Sequence, residues 1–504
     1  MTDRFYLTTA IDFANGDPHL GHALEKVGAD CIARYRRLRG DDVRYLMGMD
    51  EHSQSVLQAA AKAGVTPQAW VDRMSATFTG YWQRLGCSHD DWIRTTEPRH
   101  ARAVTEVLRR ILQRHPEHLF VAEYVGLYCT GCEEIKQDAQ IVNGRCIEHS
   151  TLDLVPTKEP NHFFRLSAWR DAVLERIERG ELRVEPAIRR NEVLSLLRGG
   201  LQDISISRLR QPWGIPFPGD PDQTVYVWFD ALINYLSATG FPDEGYRNWW
   251  PADLHVIGKG ITRFHCVIWP AMLLAAGLDL PRAIWAHGYV QWEGAKMSKT
   301  AGTAVSLDSA IARHGPDALR YFLLREIGFE NDGNFTWERF DVRYTDELAN
   351  GYGNLASRIL AMIERYLGGT VPAGTGDTPL DHEGDTLILA YRDAMDRHLL
   401  HQGAQGMWAL VSRANQFVEE TAPWNLVKAK DSAGLNRALG ALARALARIT
   451  LMIQPFIPGK AEEVWGGLGL PGTSDRARWA ELQDPPTGGA KVRKLPPLFP
   501  KPVI

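Results

Sequence analysis

Residues 6–38 constrain the fold of this 504-residue chain more than any other segment. They begin with an apolar run rich in strand formers, Tyr6 to Ile11, and continue through the turn signal Asn15-Gly16-Asp17-Pro18. A helical pattern follows from Leu20 to about Leu38. Strand, turn and helix in this order are the first elements of nucleotide-binding domains built on a parallel sheet. The segment therefore predicts an α/β, Rossmann-like fold.

Two histidines lie at the predicted start of that helix, in His19-Leu20-Gly21-His22. Backbone N–H groups at a helix N-terminus attract phosphate oxygens, and two imidazoles add donors where phosphoryl charge develops. Gly21 would let a nucleotide approach the backbone closely. A His-x-x-His quartet is also found as a surface pair or as half of a metal site, so alone it has little weight.

A second stretch, Lys296-Met297-Ser298-Lys299-Thr300, lies in a glycine-bounded loop. Lysine is a mobile point charge on a long stem, and two lysines suit a loop that closes over a polyphosphate. A single Lys-x-x-Lys is more often a solvated basic loop. The two stretches in this order resemble the HIGH and KMSKS motifs of class I aminoacyl-tRNA synthetases, with Leu20 for the usual isoleucine and Thr300 for the final serine.

The bulk composition limits the class of protein. The net charge of -4 and the pI near 6.5 argue against a surface that binds nucleic acid throughout, so RNA binding would be local. No apolar run reaches the length of a membrane span, and the N-terminus lacks the order of a signal peptide. We therefore expect a cytoplasmic protein of several domains.

Changes in pattern along the chain divide it into five predicted segments. The parallel-sheet catalytic domain is expected in two halves, with a compact connective module inserted between them and an all-α helix bundle after them. The predicted segments are 1–117 (first half), 118–215 (inserted module), 216–340 (second half and the linker with the lysine motif), 341–470 (helix bundle) and 471–504 (extended tail packing back on the body).

The predicted insert contains Cys129-x-x-Cys132 and Cys146-x-x-His149. Two such ligand pairs, made of soft and borderline donors, suit tetrahedral zinc. Four protein ligands leave no open coordination position on the ion, which predicts a structural rather than a catalytic site. A redox role for the Cys-x-x-Cys pair would leave Cys146 and His149 unexplained.

Further residues are similar to those of the methionyl-tRNA synthetases: the run Ala10–Gly16, the run Tyr226–Ala231, and Phe264-His265. The resemblance implies that Asp50 holds the methionine ammonium and that Arg208 holds or orients its carboxylate. It also implies a pocket for the methionine thioether, in which Tyr235 and His265 recognise the sulfur or close the pocket. The other residues of this pocket would be Ala10, Ile11, Phe13, Trp228, Ala231, Leu232 and Phe264. Aromatic rings make favourable contacts with sulfur.

By the same resemblance, ATP would be bound with Mg²⁺ by Thr8, His19, Gly21, His22, Gly258, Lys296 and Lys299. Four of these, His19, His22, Lys296 and Lys299, would stabilise phosphate charge during catalysis. In the bundle, Asn354, Arg358 and Trp424 would read the CAU anticodon of initiator and elongator tRNA. Since no added dimerisation domain follows the bundle, a monomer is expected.

Three residues depart from the family pattern. The family usually has an aspartate at the position of Gly260, which contacts the ATP ribose, so either nucleotide binding is weaker or another donor compensates. Ser53 replaces the usual glycine after Asp50-Glu51-His52, and Phe13 replaces a common tyrosine.

The leading hypothesis is two-step methionylation of tRNA. Two alternatives stay open on sequence grounds. The first is a paralogue that activates an amino acid and passes it to another acceptor. The second is a non-catalytic, zinc-bearing RNA-binding protein, against which the presence of both phosphate motifs speaks.

Overall fold

The computed structural model describes residues 3–148, 150–292, 305–328, 330–374 and 377–500, together with the backbone of 295–296. The predicted sites His149, Met297, Ser298, Lys299 and Thr300 lie outside the described residues, as does the side chain of Lys296.

A parallel sheet forms the centre of the molecule. In spatial order its strands are Arg183–Glu185, Ala283–His287, Leu254–Gly258, Arg4–Thr9 and Asp42–Asp50, with Asp91–Arg94 and the short Asp12–Phe13 also paired to Asp42–Asp50. The central strands are buried on both faces, as their continuous apolar runs require. The first crossover helix is Leu20–Arg39, which confirms the predicted strand, turn and helix.

Hydrophobic side chains form two clusters, and successive residues of a central strand alternate between them. Leu7 packs in one cluster and Tyr6 in the other, because side chains on a strand point to opposite faces of its sheet. The cluster that contains Leu7 continues into the C-terminal helices through Leu439 and Leu442. One continuous core therefore joins the sheet to the helix bundle.

The helices that cover the parallel sheet lie in both halves of the domain. They are Leu20–Arg39, Gln54–Lys62, Pro67–Arg84, Pro98–Arg114, Val227–Leu232, Asn234–Ser237, the π-helical Phe264–Ile268, and Trp269–Ala275.

Residues 118–215 contain an antiparallel sheet that lies apart from the parallel one. Its strands, in spatial order, are Ile204–Ser205, Val155–Phe164, Leu119–Cys129 and Glu134–Lys136. The helices of this segment are Arg170–Glu178 and Ala187–Gly199. Between them the strand Arg183–Glu185 pairs in parallel with Ala283–His287. The segment predicted as an insert thus also supplies an edge strand of the parallel sheet, because the chain returns to that sheet within it.

Two smaller sheets connect these parts. One sheet contains the strands Ser207–Leu209, Asp220–Val225 and Pro216–Phe217. The other contains Ala295–Lys296, Val290–Trp292 and Gly333–Phe335. In addition, a β-hairpin pairs Ile141–Val142 with Arg145–Cys146.

The C-terminal third is helical. Its helices are Leu307–His314, Pro316–Glu326, a continuous run of Trp337–Val342, Arg343–Gly353 and Asn354–Leu367, then Pro379–Asp396, Leu400–Thr421, Pro423–Lys428, Ser432–Ile453, Pro458–Gly467 and Trp479–Gln483. Ser432–Ile453 is central, because nearly every side chain from Ala438 to Ile453 is buried. The final segment lies on this body, where Phe499 is buried and Tyr344 donates a hydrogen bond to the Pro500 carbonyl.

Arg320 joins the catalytic half to the helix bundle. Its fully buried guanidinium donates to the carbonyls of Leu85, Pro455 and Phe456 and lies 2.7 Å from the Asp30 carboxylate. Within the part of the chain that the structure describes, no helix has the length and apolar content that crossing a membrane requires.

Candidate active site

The His19-Leu20-Gly21-His22 motif caps the helix Leu20–Arg39. The Nδ1 atom of His19 accepts hydrogen bonds from the backbone N–H groups of Gly21 and His22, and Nδ1 of His22 accepts from the N–H of His19. The two rings stack with centroids 3.8 Å apart. The N–H groups predicted to bind phosphate are therefore occupied by His19, so the imidazoles are the groups that this helix start offers to a ligand.

Gly21 has a structural role beside that cap. A Cβ atom at this position would lie 2.9 Å from Cε1 of His19, closer than van der Waals contact allows. Gly21 thus gives room to the His19 ring, and its role in close approach of a nucleotide stays a prediction.

The described residues on either side of 297–304 show where the chain enters and leaves the lysine-motif segment. Lys296 pairs with Gln291 in the hairpin that precedes the lysine motif, and Ser306, just after it, forms an isolated β-bridge with His19. Both ends of the lysine-motif segment are thus fixed, one of them at the histidine motif.

A cavity of about 220 Å³ opens at the carboxyl ends of the central strands. Of the predicted site residues, it is lined by Ala10, Ile11, Phe13, His22, Asp50, Trp228, Ala231, Leu232, Tyr235, Gly258 and His265. The structure therefore collects most of the predicted methionine-binding residues and one catalytic histidine around one space.

Sequence reasoning missed five further lining residues: Asp12, Glu25, Asn234, Ile261 and Tyr289. Two of them had a signal in the sequence. Glu25 follows His22 by three positions, which places both on one helix face. Asp12 lies inside the quoted run Ala10–Gly16.

Aromatic rings form one wall of the cavity. Phe13 packs edge-on against Trp228, and Trp228 stacks on Phe264 with ring centroids 3.9 Å apart. Phe264 does not line the cavity; it lies behind Trp228 and borders a second cavity of about 280 Å³. Trp228 thus separates the two spaces.

Tyr235 and His265 are hydrogen-bonded at the bottom of the pocket. The Tyr235 hydroxyl lies 2.6 Å from Nε2 of His265, and Nδ1 of His265 lies 3.0 Å from the Ile261 carbonyl. Because a carbonyl only accepts, Nδ1 carries the proton and Nε2 accepts from the tyrosine. Burial lowers the pKa of His265 to about 4, so the imidazole is neutral at pH 7.

This buried imidazole predicts a pH-dependent stability. Between pH 6.5 and about 4 the unfolded chain binds a proton at residue 265 and the folded chain does not, so the free energy of unfolding falls as the pH falls. From pH 7 to pH 5 this group removes about 2 kcal/mol. Urea unfolding of wild type and His265→Gln at both pH values measures the difference, and an equal pH dependence in the two proteins would contradict it.

Asp50 lines the cavity, and its carboxyl group is buried. Its side chain is 2% exposed, and its Oδ1 atom has no hydrogen-bond partner among the described residues. Burial, together with the nearby Asp230 and Glu133 carboxylates, raises the pKa of Asp50 well above its usual range. A buried, ionised carboxyl group with one unpartnered oxygen is costly, and a bound cation would reduce that cost.

A buried charge network also borders the cavity. The Lys26 ammonium lies 2.9 Å from Asp12 and 2.7 Å from Glu25, and Glu25 also contacts His287 at 3.2 Å. Burial opposes the charged form of Lys26, but the two carboxylates outweigh burial and raise its pKa. His22 borders this network, with Nε2 3.9 Å from Asp12.

Thr8 and Arg208, like His19, Gly21 and Phe264, are predicted ligand-binding residues that do not line the cavity. The Thr8 hydroxyl is fully buried and hydrogen-bonded to Nδ1 of His255 at 2.6 Å, so it is not available to ATP in this structure. Arg208 lies among Tyr124, Tyr128 and Tyr226, whose rings are 4.0 to 5.3 Å from its guanidinium carbon, and it donates to the Ser207 carbonyl. The predicted contact between Arg208 and a substrate carboxylate is therefore not supported by this geometry.

The glycine at position 260 accommodates Tyr289. A Cβ atom on Gly260 would lie 2.1 Å from the Tyr289 hydroxyl oxygen, so no other residue fits at 260 while the ring keeps its place. Lys259 lies 4.7 Å above the Tyr289 ring and pairs with Asp332, which also accepts the Tyr289 backbone N–H. A phenol thus stands where the family pattern has a carboxylate.

Ser53 also has a structural explanation. It is the N-cap of the helix Gln54–Lys62, and its hydroxyl accepts a hydrogen bond from the Val56 N–H at 3.1 Å. A serine cap stabilises a helix more than a glycine at this position does.

Three of the four predicted metal ligands meet in the antiparallel module. The sulfur atoms of Cys129, Cys132 and Cys146 lie within 4.8 Å of one another, and those of Cys132 and Cys146 are 3.6 Å apart. Thiolates 2.3 Å from a tetrahedral zinc ion are about 3.8 Å apart, so the donor set and its spacing fit a metal ion of this kind.

The predicted anticodon residues lie near one another in the helical domain. Asn354 is exposed at the start of Asn354–Leu367, and Arg358, one turn later, pairs with Glu419 at 2.7 Å. Glu419 belongs to the helix Leu400–Thr421, and after the left-handed Ala422 the short helix Pro423–Lys428 presents the half-buried Trp424.

Comparisons with known proteins agree with this arrangement. The family model for class I tRNA synthetases (M) matches residues 5–153 and 153–360. The model for the anticodon binding domain of methionyl tRNA ligase matches residues 369–489, which include Trp424.

Similar proteins cover the whole chain. A methionine–tRNA ligase of Thermotoga maritima is 38% identical over 510 residues (99% of this chain, 80% of the relative), and one of Brucella suis is 39% identical over 516 residues (99% and 98%). The structure of Mycobacterium tuberculosis methionyl-tRNA synthetase in complex with methionyl-adenylate is 38% identical and superposes with a TM-score of 0.93 over 99% of this chain and 100% of the other. The chain therefore belongs to the methionyl-tRNA synthetases, the class I aminoacyl-tRNA synthetases that ligate methionine to tRNA.

Proposed function

We propose that the cavity binds methionine with its ammonium on Asp50 and its thioether among the aromatic side chains. The observation that carries this assignment is Asp50, which lines the cavity together with Phe13 and Trp228 and whose buried Oδ1 has no hydrogen-bond partner among the described residues. A carboxylate at one end and aromatic rings along the wall match an amino acid with a polarisable side chain. Tyr235 and His265 close the end of the pocket.

Activation follows from this placement. A methionine carboxylate oxygen attacks the α-phosphorus of ATP, the bond to the β-phosphate oxygen breaks, and pyrophosphate leaves. A hydroxyl of the terminal tRNA ribose then attacks the carbonyl carbon of methionyl-adenylate, and AMP leaves. His19 and His22 stabilise phosphate charge from the helix start, and the lysine motif adds Lys296 and Lys299 for the same purpose. Mg²⁺ bound with ATP neutralises part of the polyphosphate charge.

The Tyr289 hydroxyl takes the place of the carboxylate that the family pattern has at position 260. Gly260 and Tyr289 line the cavity together with Gly258 and His22, so the hydroxyl reaches the nucleotide end. A tyrosine hydroxyl both donates and accepts, which suits a ribose hydroxyl.

Removal of that hydroxyl predicts a weaker ATP site. Tyr289→Phe should raise the KM for ATP by about 2- to 10-fold, the value of one hydrogen bond, and should leave the KM for methionine unchanged. Steady-state ATP–pyrophosphate exchange measures both constants. The same assay is repeated with 2′-deoxy-ATP and 3′-deoxy-ATP. For one of the two analogues, wild type should show a higher KM than for ATP, whereas Tyr289→Phe should show the same KM for that analogue and for ATP. Equal losses in both proteins would refute the contact.

The cysteine cluster is proposed to hold one structural zinc ion, with His149 as the fourth ligand. Zinc supplies folding free energy to small modules of this kind and takes no part in the reaction. The antiparallel sheet that carries Cys129 would be held in place by it.

The tRNA partner is proposed to carry the CAU anticodon, read by Asn354, Arg358 and Trp424. Stacking of a splayed base on a tryptophan contributes about 1–3 kcal/mol, and amide and guanidinium groups read base edges. We propose that the chain acts as a monomer in the cytoplasm.

A methionine-dependent ATP–pyrophosphate exchange assay tests the first step, with leucine and isoleucine as competitors. Charging of a CAU tRNA, compared with the same tRNA carrying a changed anticodon, tests the second step. Trp424→Ala should reduce charging of the CAU tRNA and leave exchange unchanged, because exchange needs no tRNA. Exchange without charging would favour another acceptor. Binding of tRNA without exchange would favour a non-catalytic RNA-binding protein.

A further inference from the structure

A second group of metal-binding side chains lies apart from the cavity and from the cysteine cluster. His115, Glu117 and His118 follow the helix Pro98–Arg114, where the chain leaves the parallel domain for the antiparallel sheet. One ligand atom of each lies within 4.8 Å of the others. We propose that these three side chains bind a divalent transition-metal ion, zinc by preference, at this junction.

The spacing of the ligand atoms carries the proposal. Nδ1 of His115 and Nε2 of His118 both lie 3.5 Å from the same Oε1 atom of Glu117. This is longer than an N–H···O hydrogen bond, which spans about 2.7–3.2 Å. It is close to the separation of about 3.3–3.4 Å between ligands bonded at 2.0–2.1 Å to a tetrahedral zinc ion. Two of the three separations therefore match those of a zinc coordination shell, and the third is within 4.8 Å.

Neighbouring groups hold the two imidazoles in this arrangement. The rings of His115 and His118 are parallel within 8°, and Trp169 packs edge-on against both at 5.0 and 5.4 Å. Main-chain hydrogen bonds fix the turn itself, from the His118 N–H to the His115 carbonyl and from the Arg165 N–H to the His118 carbonyl. Two ligands are thus positioned before any ion binds, which reduces the entropic cost of binding.

The donor set selects the class of ion. Two imidazoles and one carboxylate suit zinc and its neighbours in the first transition row, whereas Mg²⁺ and Ca²⁺ prefer oxygen ligands. Side-chain exposure of 30% for His115 and 63% for Glu117 leaves a path for the ion and room for a water ligand. Bound there, the ion would fix the exit angle of the chain from the helix toward the strand Leu119–Cys129.

Zinc titration by calorimetry tests the site in the full-length protein. Wild type is first saturated with Zn²⁺ and freed of weakly bound ion by gel filtration, so that the cysteine cluster is filled. Further Zn²⁺ should then bind with one additional equivalent per chain. His115→Ala/His118→Ala should lose this equivalent or bind it at least about tenfold more weakly, since even loss of an outer-shell partner costs that much.

His382→Ala is the matched control, because His382 is an exposed histidine paired with a carboxylate, that of Asp377. It should keep the additional equivalent, and added Zn²⁺ should raise the Tm of wild type and of this control but not of the double variant. Circular dichroism without added metal establishes that all three proteins are folded. The proposal is overturned if wild type binds no further equivalent, if the double variant retains it, or if His382→Ala lowers it equally. None of these results depends on methionine activation, so the outcome is independent of the proposed function.

Discussion

Replacement of Asp50 with asparagine should reduce kcat/KM for methionine by at least about 30-fold and leave the KM for ATP nearly unchanged. Loss of one partner from a buried, hydrogen-bonded charge pair costs about 2–5 kcal/mol, and each 1.4 kcal/mol is tenfold. Methionine-dependent pyrophosphate exchange at varied methionine and fixed, saturating ATP measures the change.

The same substitution should stabilise the protein in the absence of ligands. The pKa of Asp50 is raised on folding, so its ionised form destabilises the folded state at and above neutral pH, and asparagine should raise the Tm.

Asp12→Asn is the matched control for Asp50. Asp12 is a second buried carboxylate on the same cavity, but its Oδ1 atom is already paired with the Lys26 ammonium. Its replacement should change kcat/KM for methionine much less than replacement of Asp50 does. If the two variants lost methionine activity equally, or if Asp50→Asn lost none, the assignment of the ammonium to Asp50 would be wrong.

Replacement of Arg320 with methionine should lower the free energy of unfolding by about 3–5 kcal/mol, because it leaves a buried carboxylate with one cation fewer. Asp30 keeps Arg34 as a partner at 2.8 Å, but the carbonyls of Leu85, Pro455 and Phe456 lose their donor. Urea unfolding followed by circular dichroism measures the loss. Since Arg320 connects the catalytic half to the bundle, we also expect a broader transition or two separate ones.

Arg102→Met is the control for this change. Arg102 pairs with Asp243 at 2.8 Å, but both side chains are more than half exposed, and exposed pairs contribute about 0–1 kcal/mol. A similar loss of stability in both variants would show that the buried position of Arg320 has no special energetic role.

Local patterns in the sequence predict the local structure well. The helix from Leu20 to about Leu38 was readable because a turn signal precedes it and an apolar face runs along it, and the observed helix ends at Arg39. The paired spacing of Cys129-x-x-Cys132 and Cys146-x-x-His149 likewise predicts that the cysteines meet, and the sulfur atoms of Cys129, Cys132 and Cys146 do so.

Long-range contacts were not readable from the sequence. The strand Arg183–Glu185 has three residues, too few for a period, and its place beside Ala283–His287 depends on the path of the whole chain. The family resemblance assigned Thr8 to ATP, but a strand alternates its faces, and here the Thr8 hydroxyl is buried against His255. Tyr289 was missed because its importance depends on the absence of a side chain at Gly260, a position distant in sequence.

The capping role of His19 affects how substitutions there are to be interpreted. An alanine at this position removes an imidazole from the phosphate site and also leaves the first turn of Leu20–Arg39 uncapped, so lost activity would mix a chemical and a folding effect. Asparagine keeps a side-chain acceptor for the helix and lacks the ring. The capping role alone would favour a capping side chain at position 19, even in a chain that had lost the reaction.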